Sequence, residues 1–345
     1  MATTKVVILN WNGAEVLPRF LPSVVAGTPP EVEIVVADNG STDGSLEVLR
    51  RDFPSVRLIL LDRNYGFTGG YNRALRALEE EDEGRAKADF YILLNSDVET
   101  PRGWSEPLVE MLRTHGDVAA VAPKVLSCYN RDTFEYAGAS GGFIDRLGYP
   151  FCRGRIMETV ERDTGQYDDA REVFWATGAC FACRADVFRA LGGFDESFFA
   201  HQEELDLCWR MQSAGWRVMV EPRSRVFHLG AGTLPPSPQK LYFNYRNNLA
   251  MLYKNLPAGA MQAIVATRMA LNALASAVYL ARGEGANFRA VWRAHRDFFA
   301  MLGEGLREKR RAVGATRVVR RPAGVWRGSI LLSYIVLGKK WFSEL

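Results

Sequence analysis

Phe90-Tyr91-Ile92-Leu93-Leu94-Asn95-Ser96-Asp97 is an apolar run that ends in a polar triplet. The run is too short for a helix, so it reads as a buried strand that delivers polar side chains at its carboxyl end. Working outward, the same pattern recurs. Lys5-Val6-Val7-Ile8-Leu9 runs into Asn10-Trp11-Asn12-Gly13, residues 32–37 into Asp38-Asn39-Gly40-Ser41, and residues 56–61 into Asp62-Arg63-Asn64-Tyr65-Gly66. Residues 14–26, 45–52 and 70–83 lie between these runs and carry helical periodicity. This alternation predicts an α/β fold: a Rossmann-like, mostly parallel sheet with flanking helices. Ligands of such sheets sit outside the carboxyl ends of the strands. Any one of these Asn-, Asp- and Gly-rich ends has the composition of an ordinary turn; four of them at one sheet edge point to a site.

Further along, residues 119–126, 172–184, 216–221 and 225–227 read as strands and 203–214 as a helix. Residues 129–170 read as long loops over a site. Pro235-Pro236-Ser237-Pro238 is the clearest linker, and everything after it reads helical. Two parts are expected: a ligand-binding domain over 1–235 and a basic, amphipathic helical region over 236–345. The net charge of +3 conceals this division. From Gln239 onward, 18 Lys and Arg stand against 5 Asp and Glu. In the helical region Arg268, Asn272, Ser276 and Tyr279 form one polar stripe. Phe288, Val291, Trp292, Phe298, Phe299 and Leu302 mark an apolar face opposite Arg289, Arg293 and Arg296. That pattern suits docking on an anionic membrane surface, the competing reading being core packing with a solvated basic face. No nucleic-acid-reading motif is present, so nucleic acid is not an expected partner.

The composition, 48% hydrophobic and 24% charged, excludes a disordered or low-complexity chain. Five cysteines are too few and odd in number for a disulfide framework, which favours a reducing compartment. Cys180 and Cys183 lie in a strand-like run and read as core packing. Residues 1–10 lack the pattern of a secretory signal. No uninterrupted apolar run is long enough for a plain transmembrane helix.

Several constellations carry chemistry. Asp97, released at a strand end, can hold a divalent cation that is also held by phosphate oxygens; an Asx turn or helix cap explains the triplet alone equally well. The acidic run Glu203-Glu204-Leu205-Asp206 opens a helix, where acids suit the helix dipole. There a carboxylate can also serve as a general base toward a hydroxyl. His228 ends a strand and can join a metal-bound diphosphate. Gly66-Phe67-Thr68-Gly69-Gly70 can bring backbone N–H groups to a phosphate. It matches neither a dinucleotide fingerprint nor a P-loop.

Five segments in order resemble the family 2 glycosyltransferases of the GT-A fold, closest to the bacterial rhamnosyltransferase-like branch. They are Val7-Ile8-Leu9-Asn10-Trp11-Asn12, residues 36–44, residues 64–72, Leu94-Asn95-Ser96-Asp97, and the stretch from Thr177-Gly178-Ala179-Cys180 through Gly193-Phe194-Asp195 to Glu203. The resemblance implies that Asn10, Asn12 and Asp38 hold the nucleobase and ribose and that Asn64, Gly66, Phe67 and Asn72 close over the nucleotide, with Ser96 beside it. It implies Asp97 and His228 as ligands of Mg2+ or Mn2+, with Asn95 where the family's metal motif has Asp. Glu204 matches the family's base beside Glu203, and Trp175, Gly178 and Ala179 fall on the acceptor side. The implied reaction is inverting, metal-dependent transfer of a sugar, in first place L-rhamnose from dTDP-β-L-rhamnose. A UDP-linked donor stays open. The acceptor would be a hydroxyl of a glycan or a polyprenyl-diphosphate-linked glycan, placing the protein in the cytoplasm, peripheral on the inner membrane. A nucleotidyltransferase, or a non-catalytic sugar- or lipid-binding module on the same fold, are the alternative readings. Linkage and oligomeric state stay open.

Overall fold

A computed structural model describes residues 2–83, 87–230, 237–319 and 321–345. The boundary expected at 235/236, the Pro235-Pro236 half of the proline linker, and Arg320 lie outside these residues. Strands β1 (Thr4–Asn10), β2 (Glu33–Asn39), β3 (Arg57–Leu61) and β4 (Phe90–Asn95) alternate with helices α1 (Leu17–Gly27), α2 (Ser45–Asp52) and α3 (Gly66–Glu81). Then follow β5 (Val98–Glu99), α4 (Glu106–Thr114), β6 (Val118–Ser127) and four short strands, β7 (Gly142–Asp145), β8 (Pro150–Cys152), β9 (Arg155–Ile156) and β10 (Thr159–Val160). β11 (Arg171–Glu172), β12 (Cys180–Arg184), α5 (Ala185–Ala190), α6 (Glu203–Ser213) and β13 (Arg217–His228) complete the first part. Helices α7 (Pro238–Asn255), α8 (Ala258–Ala281), α9 (Gly285–Met301) and α10 (Glu304–Thr316) and strand β14 (Val325–Trp326) make up the second.

The main sheet runs β11-β13-β6-β12-β4-β1-β2-β3, with β5 pairing β13. β3, β2, β1 and β4 are mutually parallel, as are β6 and β13; β12 is antiparallel to both β4 and β6. The expected mostly parallel sheet is therefore present. Side chains alternate across each strand. Val6, Ile8, Ile92 and Leu94 meet α1, α2 and α4 on one face. Val7, Tyr91 and Leu93 meet α3, α5 and α6 on the other.

Three expectations are corrected. Residues 129–170 are not only loops: β7–β10 form a second sheet, ordered β10-β9-β8-β7-β14. The strand expected over 172–184 is split, because residues 173–179 leave the sheet between β11 and β12. The region after the linker is not wholly helical, since Val325 pairs with Ile144 and Trp326 with Asp145, making β14 the edge of that second sheet. This region is also not an appendage. Leu249, Leu252, Val265, Phe298 and Leu306 belong to the same buried cluster as Leu205 and Leu207 of α6.

Candidate active site

Parallel strands end together. The register Asn10↔Asp38 and Leu9↔Asn95 puts the ends of β1, β2 and β4 at one sheet edge. There Asn10 Nδ2 donates to Asp38 Oδ2 at 2.9 Å and to Ser41 Oγ at 3.2 Å, while Asp38 Oδ1 accepts from Ser41 N at 2.9 Å. Asn12, in the left-handed region at φ 52°, accepts from Thr42 N at 2.8 Å. Asn10 Oδ1 is buried with no protein partner in the structure.

The Gly66 segment is built differently from the phosphate cradle expected of it. Asn64 Oδ1 accepts from Gly66 N at 2.8 Å, and the segment opens α3 itself. Phe67 N and Thr68 N donate to Phe199 O at 2.8 and 3.2 Å, so these first-turn groups are spent on the loop before α6. Gly66 has φ 71°, and a Cβ there would lie 2.6 Å from Phe199; only glycine fits. Asn72, expected at the nucleotide, clamps that same loop, its Nδ2 donating to Phe194 O at 2.8 Å and its Oδ1 accepting from Phe194 N at 3.0 Å. Sequence reasoning missed Asn39, which joins β2 to this segment. Its Nδ2 donates to Asn64 Oδ1 and Gly66 O and its Oδ1 accepts from Tyr65 N.

Asp97 and His228 stand 131 residues apart in sequence, yet His228 Nε2 is 3.1 Å from Asp97 Oδ1. The cause is the pairing of β5 with β13, which sets His228 opposite Val98. His228 Nδ1 faces Glu135 Oε2 at 3.4 Å. Glu135 lies in the segment read as irregular, where no periodicity could flag it. Burial alone would depress the His228 imidazole; hydrogen bonds and charge from Asp97 and Glu135 outweigh it and raise the group to about 10. Ser96 sits half-buried between β4 and β5.

Glu203 and Glu204 begin α6, and the Oε2 of each is buried with no hydrogen-bond partner in the structure. Burial raises Glu204 to about 7. Burial, and then the neighbouring Glu204 charge, raise Glu203 well above the usual carboxylate range. Phe67 and Glu204 flank Gly178, where an added Cβ would lie 3.4 Å from Phe67 and 3.8 Å from Glu204. Three residues expected at the site thus meet at one point. Two neighbours do not reach it. Trp175 is 4% exposed and its indole N–H donates to Phe143 O at 3.0 Å, anchoring the second sheet. Ala179 is buried and its carbonyl accepts from Asn95 N. Asp206 is likewise occupied, accepting from Arg210, Lys254 and Asn255 at 2.9, 2.8 and 2.7 Å.

The loop that delivers the two glutamates is held by α7, which no sequence signal connected to it. Phe199, His201 and Gln202 have φ 66°, 70° and 72°, which is uncommon for non-glycine residues and has to be enforced by surroundings. Asn247 Nδ2 donates to the carbonyls of Phe198, Ala200 and His201 at 3.0, 2.8 and 2.8 Å. Arg246 donates to those of Ser197 and Phe198 at 2.8 and 3.0 Å, and Phe243 stacks on Phe199 with ring centroids 5.5 Å apart. His201 is kept neutral near pH 7, burial and then the Lys240 charge lowering it to about 4.

Among the described residues no group of three or more His, Cys, Asp or Glu surrounds one point as a closed metal site would. Asp97 presents a carboxylate, and His228 a second donor once its imidazolium gives up its proton; Mg2+ or Mn2+ would complete that set with substrate phosphates. The carboxyl edge of the parallel sheet thus carries a carboxylate–imidazole pair, and the start of α6 an unpaired buried carboxylate beside Gly178 and Phe67.

Comparison with known proteins agrees. Residues 5–192 match the family described as Glycosyl transferase family 2. The chain is 30% identical over 233 residues to the N-acetylglucosaminyl-diphospho-decaprenol L-rhamnosyltransferase of Mycobacterium tuberculosis, covering 65% of this chain and 75% of that protein. A structure of GalNAc-T7 with UDP, GalNAc and Mn2+ superposes with TM-score 0.53 at 19% identity, covering 74% of this chain and 48% of that one, so the chain spans about half its length. The mannosyltransferase PcManGT from Pyrobaculum calidifontis, in complex with GDP-Man and Mn2+, superposes with TM-score 0.50 at 17% identity over 90% and 79% of the two chains. With the motifs, the sheet order and the family match in agreement, the chain belongs to glycosyl transferase family 2, in its rhamnosyltransferase-like branch, and is a glycosyltransferase of GT-A fold.

Proposed function

We propose that this glycosyltransferase moves L-rhamnose from dTDP-β-L-rhamnose to a hydroxyl of a polyprenyl-diphosphate-linked glycan, with inversion, at the surface of a membrane. The observation that carries the reading is Glu204: a carboxylate near half-ionised at neutral pH, with an unpartnered buried oxygen, open toward Gly178. A group matched to working pH is suited to take a hydroxyl proton as that oxygen attacks the anomeric carbon. Asn10, Asn12, Asp38 and Ser41 form the loop pair that receives the nucleoside. Asp97 and His228 would hold a divalent cation. When bound, that ion offsets the charge developing on the nucleoside diphosphate leaving group.

Rhamnose and the lipid-linked acceptor rest on the mycobacterial relative, whose name states both. Peripheral membrane association is supported by the basic excess after residue 238 and by the exposed apolar face of α8. The test is a panel of dTDP-, UDP- and GDP-sugars. Thermal stabilisation is read with Mn2+, Mg2+ or EDTA, and the anomeric configuration of the product by NMR. Selective stabilisation by dTDP-rhamnose and an inverted product are expected; preference for a UDP-hexose, or a retained anomer, overturns the reading.

A further inference from the structure

Beyond the active site, a groove of about 750 Å³ opens between the start of α7 and one face of α9. Arg289, Arg293 and Arg296, at i, i+4 and i+7, share that face and line the groove with Trp292 and Gln239. Among the described residues no carboxylate lies within ion-pair distance of Arg289 or Arg293, whereas Arg296 pairs with its neighbour Asp297 at 2.8 Å. Arg293 is nonetheless fixed in place: it donates to Gln239 Oε1 at 2.7 Å and its guanidinium sits 4.0 Å from the centroid of the Tyr242 ring. Arg293 shares the Asp297 charge with Arg296 beyond ion-pair distance, while Arg289 has no carboxylate partner among the described residues; arginine suits phosphate oxygens.

Two surroundings define that ligand. α8 packs along α9, Asn272 meeting His295 at 3.4 Å, and its polar residues Arg268, Asn272 and Ser276 all turn into the protein. Its outer face, with Ala266, Ala270, Leu274 and Val278, is exposed and carries no charge. A basic groove on α9 and an uncharged outer face on α8, its packing partner, match an amphiphile with an anionic head and an apolar tail. α7 then leads from the groove to the catalytic loop: Phe243, stacked on Phe199, follows Gln239 by one helical turn and Asn247 by two, roughly 6 and 12 Å along the axis.

We propose that this groove binds the diphosphate of a polyprenyl-diphosphate-linked acceptor, with Arg289 and Arg293 as its charge partners and the polyprenyl chain along the outer face of α8. The proposal deepens the lipid-linked acceptor reading above and rests on it. The test uses the full chain and neutral phosphatidylcholine vesicles carrying undecaprenyl diphosphate, compared with vesicles of equal surface charge carrying phosphatidylglycerol. Co-sedimentation about tenfold tighter on the diphosphate vesicles is expected. Arg289→Gln with Arg293→Gln should abolish that difference while dTDP-rhamnose still stabilises the variant, which reports an intact fold. Equal binding of wild-type protein to both vesicle types overturns the proposal in favour of general phospholipid headgroups. An undiminished preference in the double variant overturns it as well. Failure of any nucleotide sugar to bind the wild-type protein would sink the catalytic reading instead, and the vesicle comparison does not depend on that result.

Discussion

Near neutral pH about half of Glu204 is ionised, because burial lifts its carboxyl to about 7. A base acts in its deprotonated form, so the turnover rate should rise through about pH 7 and level off above it. Glu204→Gln should lower turnover by about 10²–10⁴ while leaving donor affinity nearly unchanged. Glu203→Gln leaves the Glu204 carboxylate in place and should stay within about threefold of wild type. Steady-state kinetics over pH separate the two, and a Glu204→Gln variant with wild-type rates would move the base elsewhere. At Asp97 the expected loss is in binding. Asp97→Ala should weaken nucleoside diphosphate affinity and remove its dependence on added Mn2+ or Mg2+, with His228→Ala acting the same way but less strongly. Titration calorimetry with and without EDTA checks this, and equal wild-type affinity in both conditions contradicts the metal assignment.

Helix α7 acts on the active site from a distance through buried ion pairs. Lys254 Nζ reaches Asp195 Oδ2 at 2.7 Å and Asp206 Oδ2 at 2.8 Å, and Lys309 of α10 reaches Asp195 Oδ1 at 2.5 Å. Burial would raise the Asp195 carboxyl; the two lysines overcome this and hold it well below the usual range. A carboxyl depressed in the folded state contributes stability above its unfolded value, near about pH 4, and loses it as pH falls further. Lys254→Met leaves two buried carboxylates short of a partner and should cost roughly 3–5 kcal/mol. Denaturant titration at pH 7 should show that loss, and the gap to wild type should shrink toward about pH 3 as Asp195, no longer held down by Lys254, takes up its proton in the variant. Asn247→Ala has a different expected signature. It frees three carbonyls of the strained loop, so turnover should fall more than thermal stability does.

For the molecule as a whole, the second part completes the first. Its helices share one buried cluster with α6, and β14 extends the sheet formed by β7–β10. A chain ending at residue 236 would uncover Leu205 and Leu207 and strip Asp195 and Asp206 of Lys254. Such a truncation should be poorly soluble or inactive even toward a soluble acceptor. Expression of the 1–236 fragment, with nucleotide-sugar binding as the readout, decides between this and an independent catalytic domain; a soluble fragment with wild-type affinity would restore the two-part view. If the proposed membrane docking holds, the outward apolar face of α8, with Leu274 65% exposed, and the exposed Trp292 and Phe299 of α9, at 48% and 56%, are the flank that would face the membrane. On α9 the expected amphipathic division is only partly present, since Val291 and Phe298 are buried while Trp292 and Phe299 face outward.

The sequence alone determined the parallel core of the sheet, its polar carboxyl edge and the acids of α6. These depend on local periodicity and on short motifs that a strand end or helix start displays within a few residues. Asn10, Asp38, Asp97 and Glu204 were legible for that reason. Tertiary structure decided what long-range contact supplies. Glu135 joins His228 only because residues 134–135 fold back on β6, which pairs with β13, and Asn72 serves as a clamp only because the loop at Phe194 folds back onto α3. The polar stripe of α8 faces inward because Arg268 finds Asn248 Oδ1 at 2.8 Å and the Tyr149 ring. An amphipathic pattern marks two unlike faces, but which one is buried depends on the partner surface, here built from Asn248 on the preceding helix and from Tyr149, over a hundred positions away.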